Sequence, residues 1–383
     1  MSEWSAVVLA GGIGSRLRPL TQNIPKPLVP VANKPMIDYN LELLRNAGIT
    51  GKIAIITRYM REEIIQYFKE TDHFNDLDIV LPVFDPLDTA DAVRKAANYI
   101  DTDNFIVTMA DIVTNIPLQD FMAFHTEKGG IASITLKDVA HPRAFGVIML
   151  NQDSRILLFL EKPIPQELGL ATLTFSKKET IRLQSNLVNT GIYAFKHDVL
   201  DILESLDDLM DFGRDVFPYL AREYGIYGYA RREYYWMDAG NPQTYLYTNW
   251  DVLRRWAFPY FPRATSEDNN IWINDNSPSL PAGSYIEPPA AIGNEVTIGN
   301  NTKIKSHTTI GNKVTIGDNC EVQASVIWDD VTIENNVKIK NSILCNGVHI
   351  ASGSHLNEGT VIGPLFTSSE AIITEKDQIF VKK

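Results

Sequence analysis

Ile292-Gly293-Asn294-Glu295-Val296-Thr297-Ile298-Gly299-Asn300-Asn301-Thr302-Lys303-Ile304 places an aliphatic residue at every sixth position. The same step runs from Ile286 through Ile310, Ile316 and Val322. After a step of five it resumes at Ile327, Ile333 and Ile339, and after a second such step at Leu344, Ile350, Leu356 and Ile362. Gly293, Gly299, Gly311, Gly317 and Gly363 each follow one of these aliphatics, and Val296, Thr302, Thr308, Val314 and Cys320 stand four residues after one. An α-helix advances about 100° per residue, so side chains six apart diverge by about 120° at each step. A coil with three flat faces of about six residues keeps them together and stacks them into an interior ladder. The segment therefore reads as a left-handed parallel β-helix of hexapeptide repeats, with about four coils.

Outward from the repeat, Asn274–Pro289 is rich in Asn, Ser, Pro and Gly and reads as a linker. The first ~140 residues alternate strand-like and helix-like stretches. Strands are expected at Ser5–Leu9, Lys52–Thr57, Leu77–Val83, Asn104–Met109 and Ile131–Leu136. Helices are expected at Pro35–Ala47, Met60–Glu70, Thr89–Ile100 and Leu118–Lys128. Such alternation implies a doubly wound, Rossmann-like, mostly parallel α/β sheet, whose ligands lie beyond the carboxyl ends of its strands. From Gly146 to Leu253 the alternation loosens, with strands at Ile156–Leu160 and Ile192–Phe195 and helices around Val199–Leu206 and Pro242–Leu253. The expected organisation is a catalytic domain over 1–255, a linker over 256–284, and a β-helix with a short tail over 285–383.

Composition narrows the function. The 383 residues are 44% hydrophobic and 21% charged, ordinary for a chain that buries a full core. Lys and Arg number 35 against 47 Asp and Glu, a formal net charge of −12, which argues against a nucleic-acid or anionic-membrane binder. The two cysteines, Cys320 and Cys345, form no C-x-x-C pair, so neither a disulfide framework nor a zinc site is expected. No apolar run approaches the ~20 residues of a membrane span, and Met1–Trp4 shows no basic segment leading into an apolar one. A cytoplasmic setting is the expectation.

The strongest local signal is Leu9-Ala10-Gly11-Gly12-Ile13-Gly14-Ser15-Arg16-Leu17-Arg18-Pro19-Leu20-Thr21, followed by Pro25-Lys26-Pro27. Closely spaced glycines leave backbone N–H groups open to phosphate oxygens, and Arg16 and Lys26 add positive charge beside them. The string is not a Walker A loop, which requires G-x-x-x-x-G-K-[ST]. Nor is it the dinucleotide fingerprint, since Leu17 stands where a third Gly is needed.

This segment resembles the signature of the sugar-1-phosphate nucleotidyltransferases. Further matching strings occur in that family's order: Asp111 after the strand Phe105–Met109, Phe145-Gly146-Val147, Glu161-Lys162-Pro163, Ser185-Asn186-Leu187-Val188-Asn189-Thr190-Gly191-Ile192-Tyr193, and Trp236-Met237-Asp238-Ala239-Gly240. Many members also carry a hexapeptide β-helix, so the resemblance spans nearly the whole chain. It implies a reaction joining a sugar 1-phosphate to a nucleoside triphosphate, giving a nucleotide-sugar and pyrophosphate without a covalent nucleophile.

By the same resemblance, Arg16 would contact the triphosphate and Lys26 the phosphoryl groups near the α-phosphorus. Leu9, Ala10, Gly11, Gly12, Gly14 and Ser15 would lie along the nucleotide, with Asp88 and Thr89 near its base. Asp111 and Asp238 would hold Mg²⁺, which takes one or two carboxylates together with waters and phosphate oxygens. Gly146, Glu161, Lys162 and Asn189 would bind the sugar and its phosphate. The overall likeness leans towards guanylyl transfer to mannose 1-phosphate. Thymidylyl, uridylyl or adenylyl transfer to glucose 1-phosphate stand as alternatives, as does a catalytically silent regulatory subunit. Acyl transfer in the β-helix through His307, His349 or His355 is a further alternative. A homo-oligomer formed through the β-helix is expected.

The chain departs from the family pattern in three places. Asp85-Pro86-Leu87-Asp88-Thr89-Ala90 carries Asp88 where members show a Gly. Its carboxylate could accept from guanine N1 and N2 or cap the following helix. Ala110 replaces a usual Gly before Asp111. Ile164–Gln184, with Lys177, Lys178 and Arg182, is longer than in most members and reads as a lid, an oligomer contact or a disordered loop.

Overall fold

A computed structural model describes residues 3–139, 147–160, 187–231, 233–274 and 278–382. The chain divides into two compact units: Met1–Gly12, Asn40–Ala110 and Ile116–Trp236 form the first; Ile13–Tyr39, Asp111–Asn115 and Met237–Lys383 form the second.

The strands that organise the first unit are β1 (Trp4–Leu9), β2 (Ile53–Ile56), β3 (Ile79–Val80), β4 (Asn104–Met109), β5 (Ala132–Asp138), β6 (Val147–Leu150), β7 (Ile156–Leu160), β8 (Leu187–Lys196) and β9 (Tyr227–Ala230). Among the described residues the α-helices are α1 (Met36–Asn46), α2 (Arg61–Glu70), α3 (Thr89–Lys95), α4 (Leu118–Lys128), α5 (Val199–Ser205), α6 (Phe217–Glu223) and α7 (Pro242–Leu253). Sheet order is β7-β6-β8-β4-β1-β2-β3, with β5 pairing both β8 and β9. Strand β1 is parallel to β2 and to β4, with Leu9 opposite Ile56 on one side and Met109 on the other. Ala6, Val7 and Val8 are fully buried, which explains why this strand is a continuous apolar run rather than an alternating one.

The expected sheet is thus present, but parallel only in part. Strand β8 runs antiparallel to β4 and β5, and β7 antiparallel to β6. Those strands lie where the strand–helix alternation of the sequence gives way. The strand expected over Leu77–Val83 shrinks to Ile79–Val80, because Pro82 lacks the N–H that a ladder needs. The helix expected over Thr89–Ile100 stops at Lys95 and continues as a tighter turn over Ala97–Tyr99. Phe195, Phe212 and Phe217 stack at the core, with ring centroids 5.3 to 6.2 Å apart.

In the second unit the hexapeptide ladder forms as expected. Ile292, Ile310, Ile327, Leu344 and Ile362 stand in successive parallel rungs of one face. Two other faces carry Ile304–Val322–Ile339–Leu356 and Ile298–Ile316–Ile333–Ile350. These aliphatics make one buried core. The glycines of the repeat have a steric cause: a Cβ on Gly293 or Gly311 would meet the backbone of the next coil at 2.5 and 2.8 Å. Corner residues take left-handed backbone at six-residue intervals, among them Glu295, Asn301, His307, Lys313 and Asn319. Before the first coil, Ser266–Asp268 and Ile271–Ile273 form a hairpin whose second strand joins Ala290–Ile292. After Ile362 the chain adds another rung, Ile379–Phe380. Among the described residues no helix is long and apolar enough to cross a membrane.

Candidate active site

In the second unit, the loop after Gly12 is shaped by Gly14, whose φ of 66° is left-handed. A Cβ there would fall 2.9 Å from Thr21 Cγ2 and 3.2 Å from Lys26 Cβ, so only glycine lets the two halves of the loop close. The Thr21 hydroxyl donates to Gly14 O at 2.9 Å. Short helical turns over Ser15–Leu17 and Lys26–Leu28 follow, anchored by buried Leu17, Leu20 and Pro27. They present Arg16 to solvent and hold Lys26 buried.

Two carboxylates meet these cations. Asp111 immediately precedes the strand Ile112–Thr114, which pairs with the strand ending at Asp238. The Lys26 ammonium donates to Asp111 Oδ2 and lies 3.6 Å from Asp238 Oδ1. Arg16 Nη2 stands 3.8 Å from Asp238 Oδ2. Burial pushes the Asp238 carboxyl above its usual range and the negative charge of Asp111 adds to this, while Lys26 and Arg16 pull the other way. Asp238 Oδ1 is buried without a hydrogen-bond partner among the described residues. An acceptor left so is available to a hard cation or to a polar ligand.

Gly240, not singled out from the sequence, completes the cluster. A Cβ on it would sit 2.9 and 3.0 Å from the two Asp238 carboxylate oxygens and 3.2 Å from Arg16 Nη2. The string Trp236-Met237-Asp238-Ala239-Gly240 carried that signal, but not its reason.

The loop bearing Lys26 is braced. The Asn249 side chain accepts from Ala32 N at 2.8 Å, and Asn33 Nδ2 donates to Ile310 O of the β-helix at 2.8 Å. Tyr245 Oη donates to Pro30 O. Both Tyr245 and Asn249 lie on α7, which starts in a reciprocal cap between Asn241 and Thr244.

In the first unit, Leu9 ends β1 and Ala10 N donates to Ile56 O at 2.8 Å. Nothing described lies within 4 Å of a Cβ on Gly12, so that backbone is open. Asp88 caps α3, accepting from Thr89 N at 2.9 Å, and its other oxygen stands 3.6 Å from Arg214 Nη2. The Thr89 hydroxyl donates to Asp211 at 3.0 Å and accepts from Phe212 N at 3.0 Å. Asn189 is engaged locally, donating to Tyr193 Oη and accepting from Gly191 N, both at 2.9 Å. The structure therefore brings Arg16, Lys26, Asp111 and Asp238 together. Gly146, Glu161, Lys162 and the Ile164–Gln184 segment lie outside the described residues. On the β-helix, His307 occupies a corner and pairs with Arg254 Nε at 2.9 Å. His349 Nε2 lies 2.9 Å from Glu334, whose second carboxylate oxygen accepts from Ser352. His355 is exposed.

Residues 5–255 match the family described as nucleotidyl transferase. The chain belongs to that family. Residues 268–372 of this nucleotidyl transferase match the left-handed β-helix domain described from the epsilon subunit of EIF2B. It is 30% identical to a mannose-1-phosphate guanyltransferase of Pichia angusta over 293 residues, 75% of this chain and 72% of the relative. Mannose-1-phosphate guanylyltransferase 1 of Arabidopsis thaliana is 28% identical over 377 residues, covering 93% and 95%. The Schizosaccharomyces pombe mannose-1-phosphate guanyltransferase is 33% identical over 246 residues, covering 63% and 62%. The chain is thus a nucleotidyl transferase with an appended left-handed β-helix domain.

Proposed function

We propose that this nucleotidyl transferase moves the guanylyl group of GTP to mannose 1-phosphate, forming GDP-mannose and pyrophosphate. The observation that carries the reading is the convergence of Lys26, Arg16, Asp111 and Asp238. The names of the relatives supply the base and the sugar.

In the reaction a phosphate oxygen of mannose 1-phosphate forms a bond to the α-phosphorus of GTP. The bond from that phosphorus to the bridging oxygen breaks, and pyrophosphate leaves with the electron pair. Two polyanions must be held in line, so the chief work is positioning and charge neutralisation. Lys26, fixed by burial, donates to oxygens of the phosphoryl groups around the α-phosphorus. Arg16, exposed in the free protein, closes on the β- and γ-phosphates and stabilises the departing charge. Backbone N–H groups of Gly11, Gly12, Gly14 and Ser15 hold the nucleotide, and Asn189 binds the sugar.

Asp111 and Asp238 suit Mg²⁺: they are two carboxylates, and Asp238 Oδ1 is buried without a hydrogen bond among the described residues. When bound, the ion supplies charge stabilisation to phosphate oxygens. Asp111 and Asp238 would hold that ion, and they are also the carboxylates that meet the Lys26 ammonium. The β-helix forms the homo-oligomer contact, consistent with exposed Leu365, Ile373 and Ile379 at its last coil; sedimentation of the purified chain as a monomer would remove that part.

The test is a panel of five NTPs against mannose, glucose, galactose and glucosamine 1-phosphates, read by pyrophosphate release. GTP with mannose 1-phosphate is expected to give the highest kcat/KM. A different preferred pair overturns the assignment of base or sugar, and no release with any pair overturns the catalytic reading.

A further inference from the structure

Arg58 stands two residues beyond the carboxyl end of β2, the strand directly beside β1. Its backbone lies against the glycine turn. A Cβ built on Gly11 would meet Arg58 Cβ at 3.3 Å and Arg58 N at 3.6 Å. The segment is held from both sides. Thr57 before it is buried, and Met60 after it takes a left-handed φ of 47° as the chain enters α2. Arg61 then ties the turn to the loop after β3, its Nη2 donating to Thr57 O at 3.3 Å, Phe84 O at 2.6 Å and Asp85 Oδ1 at 2.7 Å.

The two arginines differ in what remains free. Arg61 is spent on its neighbours, whereas Arg58 is exposed and has no polar partner among the described residues. The loop after β3, tied to this turn by Arg61, offers the complementary group, Asp88: one of its oxygens caps α3 and the other stands 3.6 Å from Arg214, and the 38% exposed carboxylate keeps lone pairs for a ligand. A donor fork following β2 and an acceptor following β3 therefore share the edge of the sheet where ligands of such folds bind. A triphosphate presents acceptors only and has no use for Asp88. A base edge carrying both acceptors and donors uses both.

We propose that Arg58 is the residue that reads the nucleobase, its guanidinium donating to O6 and N7 of guanine. This rests on the guanylyl reading above and names the residue that enforces it. Guanine is the base that shows two adjacent acceptors to such a fork; adenine replaces O6 with an amine donor. Asp88 accepts from the guanine N1–H and N2–H₂ groups, and Arg58 supplies the discrimination against adenine.

The experiment compares wild type with Arg58→Met using GTP, 7-deaza-GTP and ATP, each with mannose 1-phosphate. Because Arg58 is exposed, thermal melting of the variant should match wild type and serves as the folding control. The ratio of kcat/KM for GTP over ATP is expected to fall about ten- to a hundred-fold in Arg58→Met. Replacing GTP by 7-deaza-GTP should cost wild type heavily and the variant little. An unchanged ratio overturns the proposal, whether because activity is untouched or because all nucleotides suffer equally, as loss of a phosphate contact would cause. A wild type without preference for GTP fails the parent reading as well, so the two failures are told apart by wild type alone.

Discussion

Trp328, in the β-helix, donates its indole N–H to the hydroxyl of Tyr245 on α7 at 2.8 Å, with the rings edge to face at 6.4 Å. Tyr245 is fully buried and passes the bond on to Pro30 O, in the loop that also carries Lys26. A repeat domain read from its sequence as an assembly module is thereby wired to the loop that carries Lys26.

That wiring predicts coupling. Tyr245→Phe leaves the buried Trp328 N–H and the partly buried Pro30 O without their partner, at a cost of about 1–3 kcal/mol. Trp328→Phe removes the donor at the other end. Chemical denaturation should show each variant destabilised and the double variant less affected than the two costs added. Additive costs would mean that the two groups act independently.

Lys26→Met should lower kcat/KM for pyrophosphate release by about 10²–10³-fold, the usual loss when one fixed electrostatic donor is removed. Substrate-analogue binding by calorimetry should weaken less than turnover. Wild-type turnover in this variant would leave the cluster without its central role.

Chelation is expected to abolish turnover, and added Mg²⁺ to restore it. Asp238→Asn should raise the Mg²⁺ concentration giving half-maximal rate, because it removes the charge of a carboxylate whose buried oxygen makes no hydrogen bond among the described residues and meets only the Lys26 ammonium at 3.6 Å. Full activity in excess chelator would refute the roles given to Asp111 and Asp238.

Gly240→Ala places a methyl carbon 2.9–3.0 Å from the Asp238 carboxylate oxygens and 3.2 Å from Arg16 Nη2. Either group must shift, and displacements of about 1 Å can cost up to about 10²-fold in rate. Turnover should drop while the melting temperature stays near wild type, as scanning calorimetry can check.

His125 predicts a pH-dependent stability. It is buried, edge-on to Trp4, with Nδ1 2.9 Å from Ser133 Oγ and Nε2 without a hydrogen bond among the described residues. Burial, aided by the charge of Lys196, pushes its pKa down to about 4. The unfolded chain, titrating near the ordinary ~6.5, binds the proton first as pH falls, so stability drops between those two values by about 3 kcal/mol. His125→Asn keeps a group beside Ser133 but does not titrate. Urea midpoints measured from pH 7 to pH 4.5 should fall less steeply in this variant.

Much of the fold was legible because its causes are local in sequence. The six-residue period of Ile292, Ile298 and Ile304 admits few folds, and Gly293 and Gly311 mark where coils touch. The apolar run of β1 and the glycines after it announced a parallel strand ending in a glycine turn. Antiparallel pairing of β8 with β4 was not visible, since a strand's own residues do not state which neighbour it will meet.

The sequence by itself determined the β-helix, the central strands of the sheet and the kinds of charge the site would use, because periodicity and glycine placement act over a few residues. Only the tertiary structure decided that Asp111 and Asp238 share Lys26, that Gly240 makes room for their neighbour Arg16, and that Arg58 is left free where Arg61 is not. Those facts depend on distances between residues remote in the chain, and burial and charge pairing take their values only once folding has set those distances.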